Sequence, residues 1–409
     1  MPIIPYVPPS PTIRVAAPIH SRVGTGAVAA EREPGSASEP ASDNDVNNLL
    51  TLSSFLAPAR EIPLDMLHRG ATPRKRWDKK GGIASRASDV DPGLASLLAD
   101  RNRVSCVVQK LWQSGEAARC PTAPESYIIS EETRRRIQDN LNGEHQTFWK
   151  TQALLVAYYA LSWKNIEARI MNPAAILPHV QFVLAAHDSP GEVVATSDAA
   201  IALSADAKED LILTLTEAVR LPDMGWKRFA IHRVRDLCAG VQDPYVTARV
   251  SERESLVSRL SGQDPRVLDD LNQMPLNIGD QRMHAARGFA AIEKSLNHVQ
   301  IEELQKAEGI LKCWQPLREQ SNLMGQVVLL RKHVLLGKIQ RFQGQFHEAV
   351  RELETAFAIV KQNESYLNFE EDAPDLICNY ADALRERGSF EEGSKQDLFR
   401  PSVPWKVYA

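Results

Sequence analysis

Five basic residues fall within eight in the segment Pro73-Arg-Lys-Arg-Trp-Asp-Lys-Lys80, with an aromatic among them. Cations at this density beside an indole could neutralise nucleic-acid phosphates and stack on a base, or act as a nuclear localisation signal. Arg74, Lys75, Arg76, Lys79 and Lys80 would carry either role. Asp78 dilutes the charge, and the surrounding stretch 71–92 is polar and contains glycine, so it reads as a solvated loop. Opposite charge gathers at Glu370, Glu371 and Asp372, with Asp375 just beyond. In a loop at the edge of a helical groove, such carboxylates would select a basic partner; otherwise they form a solvated loop. Arg134-Arg-Arg136 differs, because three consecutive side chains on a helix fan across about 200° and cannot close on one phosphate.

Catalytic and metal-binding patterns are missing from the sequence. The ten histidines include no HExxH motif and no pair at i, i+4. There is no GxSxG elbow to expose a nucleophilic serine. The five cysteines, Cys106, Cys120, Cys238, Cys313 and Cys378, never form CxxC and are odd in number. They read as reduced thiols, mostly buried as small hydrophobes, rather than as a disulfide or zinc framework. A phosphate loop needs glycines whose N–H groups cradle phosphate and a following lysine. Lys79-Lys80-Gly81-Gly82 lacks that order. The expectation is a protein that is not an enzyme and needs no cofactor or metal.

Composition bounds the setting. Of 409 residues, 43% are apolar and 24% charged, and the formal net charge is −4, so no overall field draws the chain to polyanions or anionic membranes. Residues 1–18 hold six prolines and no apolar run of signal-peptide length. No run of 18 apolar residues occurs, so no membrane span is expected. An intracellular protein, cytoplasmic rather than nuclear, is the expectation.

The elements that must position these residues can be read along the chain. Residues 1–45 are rich in Pro, Ser, Ala, Gly and Glu and are expected to form a disordered tail. Leu49, Leu50, Leu52, Phe55 and Leu56 mark a helix capped by Asp43 or Asp45 and stopped by Pro58. Pro63 opens a short helix over Leu64–Leu67, with Gly70 just past its end. Leu94 to Leu111 fits two short helices or one longer one; Tyr127-Ile128-Ile129 is β-prone, and Ser130 starts a helix at Glu131. Together, 46–142 form a winged-helix-like helical module. Helix pairs fill 143–240: Phe148 to Trp163 is apolar nearly all round, Pro178 sits early in a second helix, and two more amphipathic helices follow.

The region 241–396 carries the most informative pattern. Leu336-Gly337, Gly344, Phe346, Glu348-Ala349, Leu353 and Ala356 fit the tetratricopeptide (TPR) template. That template needs small residues where two helices cross closely and large ones in the gaps. The frame recurs at Tyr380-Ala381, Leu384, Gly388, Phe390 and Glu392, and more weakly at Glu254, Arg259, Gly262, Val267 and Leu271. Phe289–Leu296 with Ile301, Leu304, Ala307, Leu311 and Trp314 makes another pair. Trp314, Phe342 and Phe346 read as core of this array. Stacked pairs bury a face that one pair cannot, so the fold class expected is all-α, a winged-helix-like module followed by a TPR-like α-solenoid. The prolines at 401 and 404 end the array, leaving 397–409 as a tail.

Leu50-Thr-Leu-Ser-Ser-Phe-Leu-Ala-Pro and Ile62-Pro-Leu-Asp-Met-Leu resemble the winged-helix segment of fungal NLR-like NB-ARC–TPR proteins, and Leu94-Ala-Ser-Leu-Leu-Ala-Asp follows in the same order. Phe148-Trp149, Trp163 and Leu177-Pro178-His179-Val180 resemble the adjoining linker, and Gly337-Lys-Ile-Gln-Arg-Phe-Gln-Gly-Gln-Phe-His-Glu-Ala the TPR array. The resemblance runs from about Leu49 to Gln396 and implies the sensing half of a nucleotide-gated switch. Without a phosphate loop, nucleotide binding is not carried over. The expectation is a family member lacking its motor, a truncation or a free-standing sensor half, acting as a protein–protein interaction scaffold. Nuclear regulation through 73–80 and a fungal pathway accessory are the alternatives.

Overall fold

A computed structural model describes residues 42–121, 123–188, 203–262, 280–317 and 321–388. The expected tail over 1–41, the frame residues Val267, Leu271, Phe390 and Glu392, and the segment 397–409 lie outside these residues. The fold is all-α, with a few short strands.

The first part follows the order α1 (Asp43–Ser54), β1 (Ile62–Pro63), α2 (Leu64–Ala71), β2 (Arg74–Trp77), β3 (Ile83–Arg86), α3 (Pro92–Ala99), α4 (Arg101–Gln113), β4 (Ala117–Arg119), β5 (Ser126–Ile129), α5 (Glu131–Asp139). Antiparallel pairing gives a sheet β1-β5-β4, with Ile62 opposite Tyr127 and Ala117 opposite Ile129. Setting β2 and β3 aside, helix, strand, three helices and a two-strand wing make a winged-helix-like unit. Tyr127 fixes the sheet on α1: it is fully buried, and its hydroxyl lies 2.6 Å from Ser53 Oγ. The α1 cap is Ser42 rather than Asp43 or Asp45. Its hydroxyl accepts from Asp45 N, and the Asp45 carboxylate accepts from Ser42 N, a reciprocal capping box that starts the helix inside the expected tail. Asp100 separates α3 from α4, accepting from the N–H groups of Asn102 and Arg103.

Two further expectations for this part are overturned. The stretch 71–92 is not a loop throughout: β2 and β3 pair in register from Arg74 with Arg86 to Trp77 with Ile83. Gly70 does not terminate α2 but lies within it, where a Cβ would sit 2.3 Å from the Val156 carbonyl oxygen. The glycine lets α2 press against the helix behind it.

That helix is α6 (Gly143–Tyr159), buried on all sides from Thr151 to Tyr159, as a helix without a polar face must be. It is followed by α7 (Pro173–Asp188), α8 (Ala205–Ala218), α9 (Met224–Cys238), α10 (Pro244–Leu260), α11 (Gln281–Gln300), α12 (Leu304–Cys313), α13 (Leu323–Phe342), α14 (Phe346–Asn363) and α15 (Ala373–Arg387). Pro178 stands in the interior of α7, because Pro173 already opens that helix. Neighbouring helices pack in sequence, α8 on α9, α10 on α11, α11 on α12, and α13 on α14. One apolar core runs from Leu49 to Leu384, and a smaller one joins Ala307, Leu311, Leu335, Leu336 and Ile339.

Candidate interaction site

The residues of the expected repeat frame lie on α13 and α14. Leu336 enters the small core against α12, while Gly337 beside it faces α14, where a Cβ would meet Leu353 Cγ at 2.7 Å. Adjacent large and small residues on α13 thus serve two neighbours at different distances. Gly344 turns the chain with φ +76°, a conformation that costs an L-residue about 1–2 kcal/mol. Phe346 opens α14, and Ala349, Leu353 and Ala356 are fully buried along its inner face. Gly388 caps α15 with φ +81°, and Gly262 follows α10 with φ +70°. Trp314 is buried as expected, and its indole N–H donates to His284 O. Phe342 departs from expectation: it is 50% exposed, with Lys338 and Arg341 cations 5.9 and 5.5 Å from its ring. It is the last residue of α13.

The basic segment is divided by its strand. Successive strand residues face opposite ways, so Lys75 is exposed while Arg74 and Arg76 are 3% and 6% exposed. Neither arginine can be a surface contact. Arg76 donates to both Asp210 oxygens at 2.5 and 3.1 Å and lies over the Trp163 ring at 4.4 Å. Arg74 donates to Glu167 at 3.0 Å and to Leu161 O at 2.9 Å. Burial pulls the Arg74 guanidinium down to about 10 against the pull of Glu167, leaving it charged at neutral pH. Trp163 N–H donates to Thr214 Oγ1, which ties the same cluster to α8.

The turn of the hairpin has its own attachment. Lys79 O accepts from Gln281 N at 2.8 Å, Gly81 O from Met324 N at 3.0 Å, and Lys80 O from the Asn322 amide at 2.8 Å. Gln281 and Met324 stand in the first turns of α11 and α13, where backbone N–H groups lack partners within the helix. Two carbonyl oxygens of one turn therefore cap the starts of two helices more than 200 residues further along the chain, and a third holds the Asn322 side chain. Lys79 and Lys80 keep their side chains in solvent. Of the five cations in the segment, two lock the hairpin inward and three remain exposed.

The acidic cluster is also turned largely inward. Glu371 takes two hydrogen bonds from the Arg220 Nε and one from its Nη2. Asp372 accepts from Lys164 and Asn165, both at 2.7 Å, with Arg331 Nε at 3.6 Å. Burial pushes the Asp372 carboxyl up, but Arg331 and Lys164 outweigh it and hold the group below its usual range. Burial and Arg331 bring the Lys164 ammonium down to about 8 despite Asp372. Only Glu370 of the three candidates is exposed. The cations that these carboxylates select belong to the chain itself. Further inward, Glu217 accepts from Arg249 at 2.5 Å; burial raises this carboxyl, yet Arg249, Arg253 and Arg220 together bring it to about 2.

The remaining candidates are dispersed. Arg134 lies over Phe182, Arg135 is exposed and Arg136 pairs with Glu116, so the three arginines do share no phosphate site. The thiols differ from expectation: Cys120 is buried, Cys238 half-buried, and Cys106, Cys313 and Cys378 exposed. Among the described residues, no group of three His, Cys, Asp or Glu side chains could hold a metal ion, and no helix is long and apolar enough to cross a membrane. The partners Glu167, Asp210 and Thr214 were not legible as a site, because each is an isolated polar residue in an otherwise ordinary helical stretch. Comparison of the chain with family models, with curated proteins and with solved structures returned no match.

Proposed function

We propose that this chain is a non-catalytic protein–protein interaction scaffold whose helical array receives a protein partner. The observation that carries the reading is the α13–α14 pair. Its residues Leu336, Gly337, Gly344, Phe346 and Ala349 combine a close helix crossing with a left-handed turn, which supports the TPR reading. Exposed Phe342 at the end of α13, flanked by two cations, gives that pair an aromatic contact point of the kind enriched at interfaces. The order of a winged-helix-like unit followed by stacked helices supports kinship with the fungal NB-ARC–TPR proteins, in which the array is the detecting part. Burial of Arg74 and Arg76 leaves only Lys75, Lys79 and Lys80 exposed in 73–80, which favours a cytoplasmic setting over a nuclear one.

Affinity capture with the full chain, followed by chemical cross-linking, tests the proposal. The expected result is a reproducible protein partner with saturable binding and cross-links concentrated on α11 to α15, weakened by Phe342→Asp. Absence of any reproducible partner, or conversion of a substrate by the purified chain, would overturn it.

A further inference from the structure

A cavity of about 170 Å³ opens where α5, α6 and α7 meet the end of α1. Each helix contributes side chains one turn apart, so their tips converge: Arg134 and Gln138 from α5, Gln146 and Lys150 from α6, Phe182 and Ala186 from α7. Phe55 and Val183 complete an apolar floor. An apolar space of roughly 150 Å³ holds a body the size of a benzene ring.

The polar groups at this floor are arranged unevenly. Arg134 is fixed in place by its bond from Nε to Ser54 O at 2.9 Å and by its position over the Phe182 ring at 4.9 Å. Lys150 is exposed and forms no ion pair among the described residues. Glu131, 3.3 Å from Arg134 Nη1 and shared with Arg135, partly offsets the first of the two cations. The side-chain N–H groups of Gln138 and Gln146 are engaged with Ser54 O, Gln138 O and Leu141 O.

We infer that this cavity is a binding site for a small carboxylate with an apolar body, its ring or hydrocarbon on Phe55 and Phe182 and its anion between Arg134 and Lys150. Charge complementarity selects the anion, and the volume limits the body to about the size of a benzene ring. This site is separate from the α11–α15 array, so it stands or falls independently of the scaffold reading.

Calorimetric titration of the full chain with phenylacetate, and with its neutral counterpart phenylacetamide, tests the inference. Expected is one saturable site for phenylacetate, with phenylacetamide bound about tenfold more weakly, the loss of one charge-assisted contact. Lys150→Glu, at an exposed position, should weaken phenylacetate by at least about tenfold. Ala186→Trp, which fills the space, should abolish binding of both compounds while leaving the far-ultraviolet circular dichroism unchanged. No binding by the wild-type chain, equal affinity for acid and amide, or affinity unchanged in both variants would overturn it.

Discussion

Arg76 of the hairpin and Asp210 of α8, 134 positions apart, meet in a two-pronged ion pair that is almost wholly buried, with side-chain exposures of 7% and 2%. A residue from a run of surface-type charges has become the link between the winged-helix-like unit and the helices that follow. A buried carboxylate stripped of its partner is costly, so Arg76→Met should destabilise the chain by about 3–5 kcal/mol. Lys75→Met, exposed on the same strand, should change stability by no more than about 0.5 kcal/mol. Chemical denaturation of the two variants compares them directly.

The turn of the hairpin makes a second, steric prediction. Gly81 and Gly240 both have positive φ, at +73° and +85°, but a Cβ on Gly81 would lie 2.4 Å from the Asn322 amide, whereas Gly240 has nothing within 4 Å. Gly240→Ala should cost about 1 kcal/mol, for conformation alone. Gly81→Ala should cost about 2–4 kcal/mol, conformation plus overpacking. Equal losses in thermal melts would mean that the turn does not seat on α13.

The crossing of α13 and α14 is testable by compensation. Gly337→Ala forces a methyl against Leu353 and should cost about 1–3 kcal/mol. Leu353→Ala should cost about 2–5 kcal/mol by leaving a cavity. The double variant should be less destabilised than the sum, because the added methyl enters the space that leucine vacates. Strict additivity in urea titrations would contradict the packing.

His179 gives the fold a pH dependence. It is fully buried, accepts from Ala57 N through Nδ1 at 3.1 Å and donates from Nε2 to Glu61 O at 2.7 Å, an arrangement that only the neutral ring satisfies. Burial and Arg60 hold its pKa below the ordinary 6.5, while the Glu61 carbonyl and carboxylate pull the other way. The unfolded chain therefore takes up the proton first on acidification, and the stability from this group is lost as pH falls below about 6.5 toward the folded pKa. Stability of the wild type should drop from pH 7.5 to 5.0 by more than that of His179→Ala. At pH 7.5 the variant itself should be weaker by about 2–4 kcal/mol, from two unpaired backbone groups. Identical pH profiles would remove His179 from the account.

Absence of a phosphate-loop sequence carries its own expectation. A nucleotide at 100 times its dissociation constant would stabilise the fold by about 2.7 kcal/mol. Millimolar ATP, ADP or GTP should leave the melting temperature of the full chain unchanged, and a saturable rise would reopen the nucleotide switch of the family it resembles.

The parts legible in the sequence were those where one residue type answers one local demand. Gly337 and Gly344 mark a close crossing and a left-handed turn, Ser130 starts a helix, and the polar-free run through Tyr158 and Tyr159 must be buried. The hairpin was hidden because its inward positions are arginines. Arg74, Lys75 and Arg76 do alternate, but an alternation of charges looks solvated until Glu167 and Asp210 are seen beside it. Acidic residues 371 and 372 misled in the same way, since their partners Arg220, Lys164 and Arg331 come from distant helices. Gly70 read as a boundary, yet it makes room for α6, while Pro178, read as early in its helix, follows Pro173, which opens it.

A double-mutant cycle on Arg76 and Asp210 tests most directly whether the hairpin joins the two parts into one body. Unfolding free energies of Arg76→Met, Asp210→Leu and the double variant would be measured by denaturant titration of the full chain. The account predicts that the double variant is more stable than the sum of the single losses allows, by about 1–3 kcal/mol. Single losses that simply add, to within about 0.3 kcal/mol, would show that the two residues do not meet and that the hairpin is not held by α8.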